Sequence, residues 1–194
     1  MASEANETGS RKALLTRVAI SMLQTQGYLG LGVRELAQAA SIRAPSVYNH
    51  FSSKEELTRQ AMCMYREHQR DELNSLHGTA ATKLSAYLEL FADMLRDESK
   101  VCLGLALAAD RNVLPPEVVD EVRKFADQNA EWIGSVWEAG SSDGTINAKL
   151  SGPAAGKILF GALEGLMLFA LLDTSPVSAF LSRSKSLLGA MGVE

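Results

Sequence analysis

The segment Gly32–Leu57, GVRELAQAASIRAPSVYNHFSSKEEL, predicts two short helices joined by a tight turn and followed by a longer helix. In the second short helix, Val47 and Phe51 share one face and leave the other faces to polar side chains. Two short helices at this spacing predict a helix-turn-helix, whose second helix enters the DNA major groove. The apolar face of the first short helix recurs at i, i+3, i+4 and i+7, with Val33, Leu36, Ala37 and Ala40.

A proline sets the expected start of the second short helix. The residue before a proline is pushed away from the α region, so we expect Ala44 at the N-cap and Pro45 at the first helical position. Arg43 would then project ahead of this helix. The longer helix that follows is predicted by a capping box, with Ser53 as the cap and Glu56 three residues later.

Outside this segment the sequence predicts helices only, because apolar residues recur at helical spacing and no strand-like alternation is found. The first helix is expected to begin at the N-cap Ser10 and to end at Gly27, where Tyr28 supplies the apolar contact that often follows such an end. Gly140 to Gly144 is expected to be a flexible turn. The remaining helices are expected over about 54–76, 84–95, 101–109, 115–138, 151–173 and 175–189.

The charge of the chain is unevenly distributed. Residues 11–70 hold nine Lys/Arg against four Asp/Glu, although the whole chain of 194 residues has a formal net charge of −4. The rest of the chain is therefore strongly acidic. A basic N-terminal third joined to an acidic remainder predicts one part that faces phosphate and another with a separate role. Apolar residues make up 46% of the chain, enough for a substantial core.

Cysteine usage and hydropathy predict a cytoplasmic protein without a membrane partner. Cys63 and Cys102 lack metal-ligand spacing and lie in different segments, which fits a reducing compartment and no metal site. The polar N-terminus does not have the pattern of a signal peptide. The longest apolar run, 158–172, contains Glu164 and falls short of the ~20 residues that a membrane span needs.

The sequence contains no recognisable catalytic pattern. The sequence has three histidines and shows neither a nucleophile–base pairing nor a glycine-rich phosphate loop. We therefore predict that the protein is not an enzyme and uses no cofactor.

The N-terminal third resembles the TetR family of transcriptional regulators. The resemblance implies an all-α, nine-helix architecture in two domains: a DNA-binding head over 1–53, and a ligand-binding and dimerisation domain over 54–194 that the connecting helix 54–76 enters. It is carried by the Gly27-Tyr28 helix end, by VRELAQAA, and by SVYNHFSSKEEL with Tyr48, Phe51, Lys54 and Leu57 at the family's offsets.

Three positions depart from the family pattern. Ser41 stands where the family usually has glycine before the recognition helix, and Arg43 replaces the usual Ser/Thr cap of that helix. Gly32 replaces the usual cap of the helix before it. We expect these departures to change how the recognition helix is positioned on DNA, but not to change the fold.

The predicted DNA contacts come from the recognition helix and its flanks. Arg43 can reach guanine O6/N7 or a phosphate, and Asn49 has the donor and acceptor that suit adenine. The resemblance implies backbone contacts from Tyr48, His50 and Lys54. Their alternative roles are a core aromatic ring, a surface histidine and a solvated lysine. The full predicted set is Arg43, Pro45, Ser46, Tyr48, Asn49, His50 and Lys54.

An apolar ligand pocket is expected from the resemblance, although core packing is the alternative for every candidate. The scarcity of buried-looking charge favours a mainly hydrophobic or aromatic effector. Cys102 with Leu103 also looks like the start of helix six in an electrophile-sensing branch of the family, where such a cysteine reacts; a small buried hydrophobe is the alternative. The candidate liners are Met62, Tyr65, Phe91, Cys102, Leu103, Leu107, Trp132, Phe160, Glu164 and Met167.

The last two helices are the expected homodimer interface, because the eighth is apolar nearly all round and can face its own core and a partner together. A buried central helix in a monomer is the alternative. Glu164 within this helix is costly unless it is hydrogen-bonded or paired, across the dimer or with ligand. The predicted interface residues are Gly161, Gly165, Phe169, Leu172, Phe180 and Leu187.

Together these observations predict a homodimeric regulator that binds operator DNA and is released from it by a small effector. Two alternatives stay open: a helical small-molecule-binding protein without DNA binding, and a regulator that senses electrophiles through Cys102.

Overall fold

The structure, a computed structural model, describes residues 2–97, 100–147 and 149–193, and the side chains from residue 10 onward in these ranges. Nine helices lie in the described residues, and their one β feature is an isolated bridge between Ile146 and Val193. The predicted all-α class is confirmed. The helices are α1 (Ala2–Gly30), α2 (Val33–Ala39), α3 (Ala44–Val47), α4 (Lys54–Ser75), α5 (Ala80–Arg96), α6 (Leu103–Ala109), α7 (Pro116–Asp143), α8 (Gly152–Ala170) and α9 (Pro176–Ala190).

The backbone divides into two compact units. Unit one comprises Met1–His68 and Leu103–Arg123, and unit two comprises Gln69–Cys102 and Lys124–Glu194. The predicted boundary between residues 53 and 54 is a division by role and stays a prediction.

In unit one, α1 packs against α6 and α2, and α2 packs against α3. The buried stripe of α1 has helical spacing, with Leu15, Ala19 and Leu23 fully buried. The expected start of this helix at Ser10 is wrong, because α1 already begins at Ala2. Residues 2–9 include alanine and glutamate, which favour helix and extend it past the serine.

The expected end of α1 at Gly27 is confirmed as a break in the helix. Gly27 has φ 70° and ψ −176°, so the three residues after it form a separate turn. The backbone N–H of Tyr28 donates to Asp110 Oδ2 over 2.7 Å. A Cβ built on Gly27 would lie 2.7 Å from the same oxygen, so glycine is required here for both its φ and its size.

The turn between α2 and α3 is a Schellman motif with serine in the left-handed position. Ser41 has φ 55°; its N–H donates to Gln38 O at 3.0 Å, and the N–H of Ile42 donates to Ala37 O at 2.9 Å. This is the position where the family usually has glycine. The turn therefore keeps the usual hydrogen bonds at the cost of a strained serine.

Ser41→Gly is expected to raise the free energy of unfolding by about 0.5–1 kcal/mol, because glycine adopts positive φ without a Cβ clash. Urea denaturation at fixed protein concentration measures this change. Ser182→Gly, at an exposed position inside α9, is the matched control and should lose about 0.5 kcal/mol. Destabilisation by both substitutions would contradict the strain at Ser41.

The expected start of α3 is wrong by one residue. Arg43 is the N-cap, with φ −82° and ψ 140°, and Ala44 is the first helical residue. The bias against α conformation before proline is a preference, and the first turn tolerates it because Pro45 lacks only an N–H that would have no partner there. After Val47 the chain continues in hydrogen-bonded turns, with the N–H of His50 and of Phe51 both donating to Val47 O.

The start of α4 has a modified capping box. Ser53 Oγ accepts from the N–H of Glu56 at 3.2 Å, as expected. The Glu56 carboxylate accepts from the hydroxyl and the N–H of Ser52, the latter at 2.6 Å, rather than from Ser53. These bonds, first that of the Ser52 hydroxyl, lower the pKa of Glu56.

In unit two, α9 packs against both α5 and α8. Phe180 is fully buried and stacks on Phe91 with ring centroids 5.6 Å apart. The prediction that Phe180 lies in a dimer interface is therefore wrong, since its ring fills the core of its own chain.

The expected turn from Gly140 is also wrong at its start, because α7 continues to Asp143. A Cβ on Gly140 would lie 2.6 Å from atoms of Ala80 and Ile146, so this glycine permits close packing rather than a turn. Gly144, with φ 82°, follows the last helical residue.

Among the described residues, α8 is the one helix long and apolar enough, by length and composition alone, to cross a membrane. Core helices of soluble proteins have the same property, and this helix carries the buried polar residue Glu164.

Candidate functional site

The recognition helix α3 and its flanks present a polar surface over a buried base. Val47 and Phe51 are each 2% exposed and belong to the core of unit one, as expected. Tyr48 is 58% exposed, so its alternative role as a core aromatic ring is excluded. Of the other predicted DNA contacts in this stretch, the exposed residues are Arg43, Pro45 and Asn49, and the half-buried ones are Ser46 and His50.

His50 has one buried nitrogen, Nδ1, without a hydrogen-bond partner in the described part of the chain. Its backbone N–H is used by the turn after α3. Because Nδ1 is buried, a DNA contact by this half-buried ring would have to come from Nε2.

Lys54 lies at the first position of α4, and its ammonium is 4.4 Å from the centroid of the Tyr28 ring. Burial lowers the pKa of Lys54, while the Glu55 and Asp110 carboxylates oppose this change. The hydroxyl of Tyr28 donates to Glu55 Oε1 at 3.1 Å. Burial raises the pKa of Tyr28 to about 12, and this hydrogen bond is the second largest cause of the rise. The lysine is thus held by an aromatic face rather than fully solvated.

Lys12, a basic residue of α1 that was not among the predicted DNA contacts, lies beside Phe51. Lys12 Nζ is 5.3 Å from the centroid of the Phe51 ring, and its charge contributes to the lowered pKa of Glu56. Arg11 and Arg17, also on α1, are exposed. No short-range sequence pattern pairs Lys12 with Phe51, because the two residues lie in different helical segments.

The ten predicted ligand liners do not lie in one unit. Unit one contains four of them and unit two the other six. Within unit two, Phe91 and Trp132 lie beside the buried ring of Tyr87, a residue that was not among the predicted liners. The four are Met62, Tyr65, Leu103 and Leu107, and the six are Phe91, Cys102, Trp132, Phe160, Glu164 and Met167.

Tyr87 is the centre of an aromatic and polar cluster in unit two. Its ring centroid is 5.3 Å from those of Phe91 and Trp132. Its hydroxyl donates to Asn129 Oδ1 at 2.7 Å, and Asn129 Nδ2 donates to Gln69 Oε1 at 2.7 Å. The sequence signal for this network is Asn129, a polar residue on the otherwise largely apolar buried face of α7.

Glu164 is a further polar residue of unit two, within electrostatic reach of Tyr87. It is 7% exposed, and burial raises its pKa to about 7. A hydrogen bond from the Cys102 thiol opposes part of that rise. The backbone N–H of Cys102 donates to Met167 Sδ at 3.3 Å, so Cys102 is held against α8 within unit two.

The outer side of α8 is an exposed apolar face. The exposed fractions of Ile158, Leu168, Phe169 and Leu172 are 51%, 47%, 65% and 82%. No described atom lies within 4 Å of a Cβ built on Gly161 or Gly165, so this side of the helix is open. Leu187 on α9 is half-buried.

Comparison with known proteins agrees with this geometry. A family model described as bacterial regulatory proteins, tetR family, matches residues 15–61, the stretch from α1 through the recognition helix into α4. Residues 15–61 are therefore similar to the DNA-binding domain of that family, and the predicted resemblance is confirmed over this stretch.

Solved structures share the fold of this chain over nearly its whole length. A TetR-family regulator from Agrobacterium tumefaciens has a TM-score of 0.87 at 24% identity, covering 96% of this chain and all (100%) of that one. The regulatory protein TetR from Rhodobacter sphaeroides has 0.84 at 19%, covering 93% and 98%. Reduced NemR from E. coli has 0.79 at 19%, covering 91% and 96%. At these identities the similarity shows the fold.

Proposed function

We propose that this chain is a homodimeric, ligand-responsive repressor of the tetR family that works in the cytoplasm. The single observation that carries the proposal is the recognition helix, which exposes Arg43, Tyr48 and Asn49 while Val47 and Phe51 anchor it in the core. Such an arrangement offers base and phosphate contacts from a rigid element. No catalytic role is proposed.

Each predicted contact has a chemical role in this proposal. Arg43 and Asn49 read base edges, and Ser46 contacts either a base or the backbone. Tyr48, His50 and Lys54 bind phosphates, and Lys12 adds positive charge beside Phe51. Phosphate contacts set the register of the head, and base contacts supply its specificity.

Dimerisation follows from the size of the head and the apolar face of α8. One helix-turn-helix contacts too little DNA for operator affinity, so such heads bind two half-sites as a dimer. A contiguous exposed apolar face is uncommon on a monomer and favours association. We propose that Gly161 and Gly165 allow close approach of the partner helix, while Phe169 and Leu172 fill the interface.

Leu172→Glu is expected to weaken dimerisation at least 100-fold, because it places two like charges in an apolar interface. Analytical ultracentrifugation measures the change. Val113→Glu, at another exposed apolar position, is the control and should stay dimeric. Unchanged association of the Leu172 variant would show that the partner covers a different face.

The effector acts in this proposal by linkage. A mainly hydrophobic small molecule binds unit two more tightly in the state whose two heads are mis-spaced for the operator, and so releases DNA. The aromatic cluster around Tyr87 supports a site in this unit. The size of the DNA response equals the difference in effector affinity between the two states.

The test is binding of the purified protein to DNA from upstream of its own gene. We expect specific binding whose affinity falls steeply between 50 and 200 mM salt. Absence of salt-sensitive binding would leave the alternative, a helical small-molecule-binding protein without DNA binding.

Electrophile sensing through Cys102 has less structural support. Cys102 is fully buried, and Lys100 pairs with Asp97 at 2.6 Å rather than with the thiol. We therefore expect Cys102→Ser to leave any N-ethylmaleimide-induced DNA release unchanged in an electrophoretic mobility shift assay. Release that the wild type shows and this variant lacks would establish Cys102 as the sensor.

A further inference from the structure

Glu164 is a buried acidic residue of unit two. It lies on α8, is 7% exposed, and neither carboxyl oxygen has a well-formed hydrogen bond to any described residue. The Cys102 thiol, a weak donor, lies near enough to favour the ionised form but satisfies neither oxygen. A buried carboxylate whose one nearby donor is a weak thiol is destabilising in its ionised form, so its presence requires a reason other than packing.

An aromatic cluster centred on Tyr87 lies within electrostatic reach of Glu164. Tyr87 from α5 is close enough for the Glu164 charge to raise the tyrosine pKa, after the larger effect of burial. The rings of Phe91 and Trp132 lie 5.3 Å from the Tyr87 ring. Negative aromatic faces beside a carboxylate favour positive charge, and the same faces bury an apolar body.

We propose that Glu164 anchors a cationic group of the effector, an organic ammonium carried on an aromatic or aliphatic body. This inference rests on the proposed function, because it names the ligand class of the effector site. In a site of low dielectric, an ammonium gives the carboxylate both its counter-ion and its missing hydrogen-bond donor. Tyr87 and Trp132 supply faces for the rest of the molecule.

Cation binding at this site requires ionised Glu164, and burial raises the pKa of that carboxyl to about 7. Protons therefore compete with the cation below pH 7, and affinity is expected to be about tenfold weaker at pH 6 than at pH 8. The other titratable groups that face Glu164 are Tyr87 and Cys102. Arg183, on the neighbouring helix α9, is paired with Asp173.

Three probes of one shape and different charge test the inference: 2-phenylethylammonium, 2-phenylethanol and phenylacetate. Isothermal titration calorimetry at pH 8, on the full chain without DNA, is expected to show the ammonium binding at least tenfold more tightly than the alcohol. Phenylacetate should bind most weakly. Equal affinities, or no binding of the ammonium at millimolar concentration, would overturn the inference.

Two variants assign the preference to this cluster. Glu164→Gln should reduce the ammonium-over-alcohol preference to less than threefold, and Trp132→Leu, at a half-buried position, should reduce it several-fold. Glu131→Gln is the control, since Glu131 is exposed and lines a separate cleft of about 490 Å³ on α7 and α8. A preference that survives Glu164→Gln, or is lost in the control, would reject Glu164 as the anchor.

The same measurements separate this inference from the proposed function. DNA binding of the ligand-free protein is tested independently by its salt dependence. A cation preference without DNA binding would indicate a carrier with the same site, whereas DNA binding without the preference would leave a regulator whose effector has another chemistry.

Discussion

Replacing Tyr48 and Lys54 together by alanine is expected to weaken operator binding about thousandfold. The dimer would lose four phosphate contacts; at about 1 kcal/mol each, the loss is roughly 4 kcal/mol. The slope of log affinity against log salt should also become shallower by about two, because two lysine charges leave the interface. Fluorescence anisotropy with labelled upstream DNA measures both quantities.

The single variants are expected to differ. Tyr48 is exposed and makes no packing contribution to the core, so Tyr48→Ala should reduce DNA affinity without loss of stability. Lys54 stacks on the Tyr28 ring at 4.4 Å, so Lys54→Ala should also lower the unfolding free energy by about 0.5–1 kcal/mol.

Lys185→Ala, which removes an exposed charge from α9 in unit two, is the matched control for net charge. It should change DNA affinity less than threefold. Equal losses in the control and the double variant would mean that overall charge, rather than the recognition helix, determines binding.

Glu164 is expected to make the protein less stable as pH rises. Its pKa is about 7 in the folded chain against an ordinary value of 4.5, so between these values the folded state holds a proton that the unfolded state has released. Stability from this group is therefore complete below pH 4.5 and lost as pH rises through 7. Relative to Glu164→Gln, the wild type should lose roughly 2 to 3 kcal/mol between pH 5 and pH 8.

Urea denaturation of both proteins at several pH values, at one protein concentration, measures this difference. Comparing pH dependences removes the constant cost of a buried amide in the variant. Glu131→Gln, at an exposed position, should follow the wild-type profile. If the free energy of unfolding depended on pH in the same way for the wild type and Glu164→Gln, the raised pKa of Glu164 would be contradicted.

Local chemistry in the sequence was sufficient for the head. A left-handed glycine at Gly27, a serine cap at Ser53 and apolar spacing around Val47 depend on residues a few positions apart. These short-range rules predicted the helix-turn-helix, and the family match over residues 15–61 agrees with it. The predicted start of α3 was wrong by only one residue. The bias against α conformation in the residue before proline competed there with the geometry of the preceding turn.

Tertiary packing decided what short-range rules left undetermined in unit two. A helix apolar on all sides, such as α8, carries no signal for which side meets its own core and which stays exposed. Only the packing of α9 shows that Phe180 faces Phe91 whereas Phe169 and Leu172 are exposed. The lack of a well-formed hydrogen bond at Glu164 likewise depends on neighbours brought from distant positions along the chain. The sequence by itself thus determined the fold class and the helix-turn-helix, and the tertiary structure decided which side of α8 is exposed and which groups surround the buried cluster.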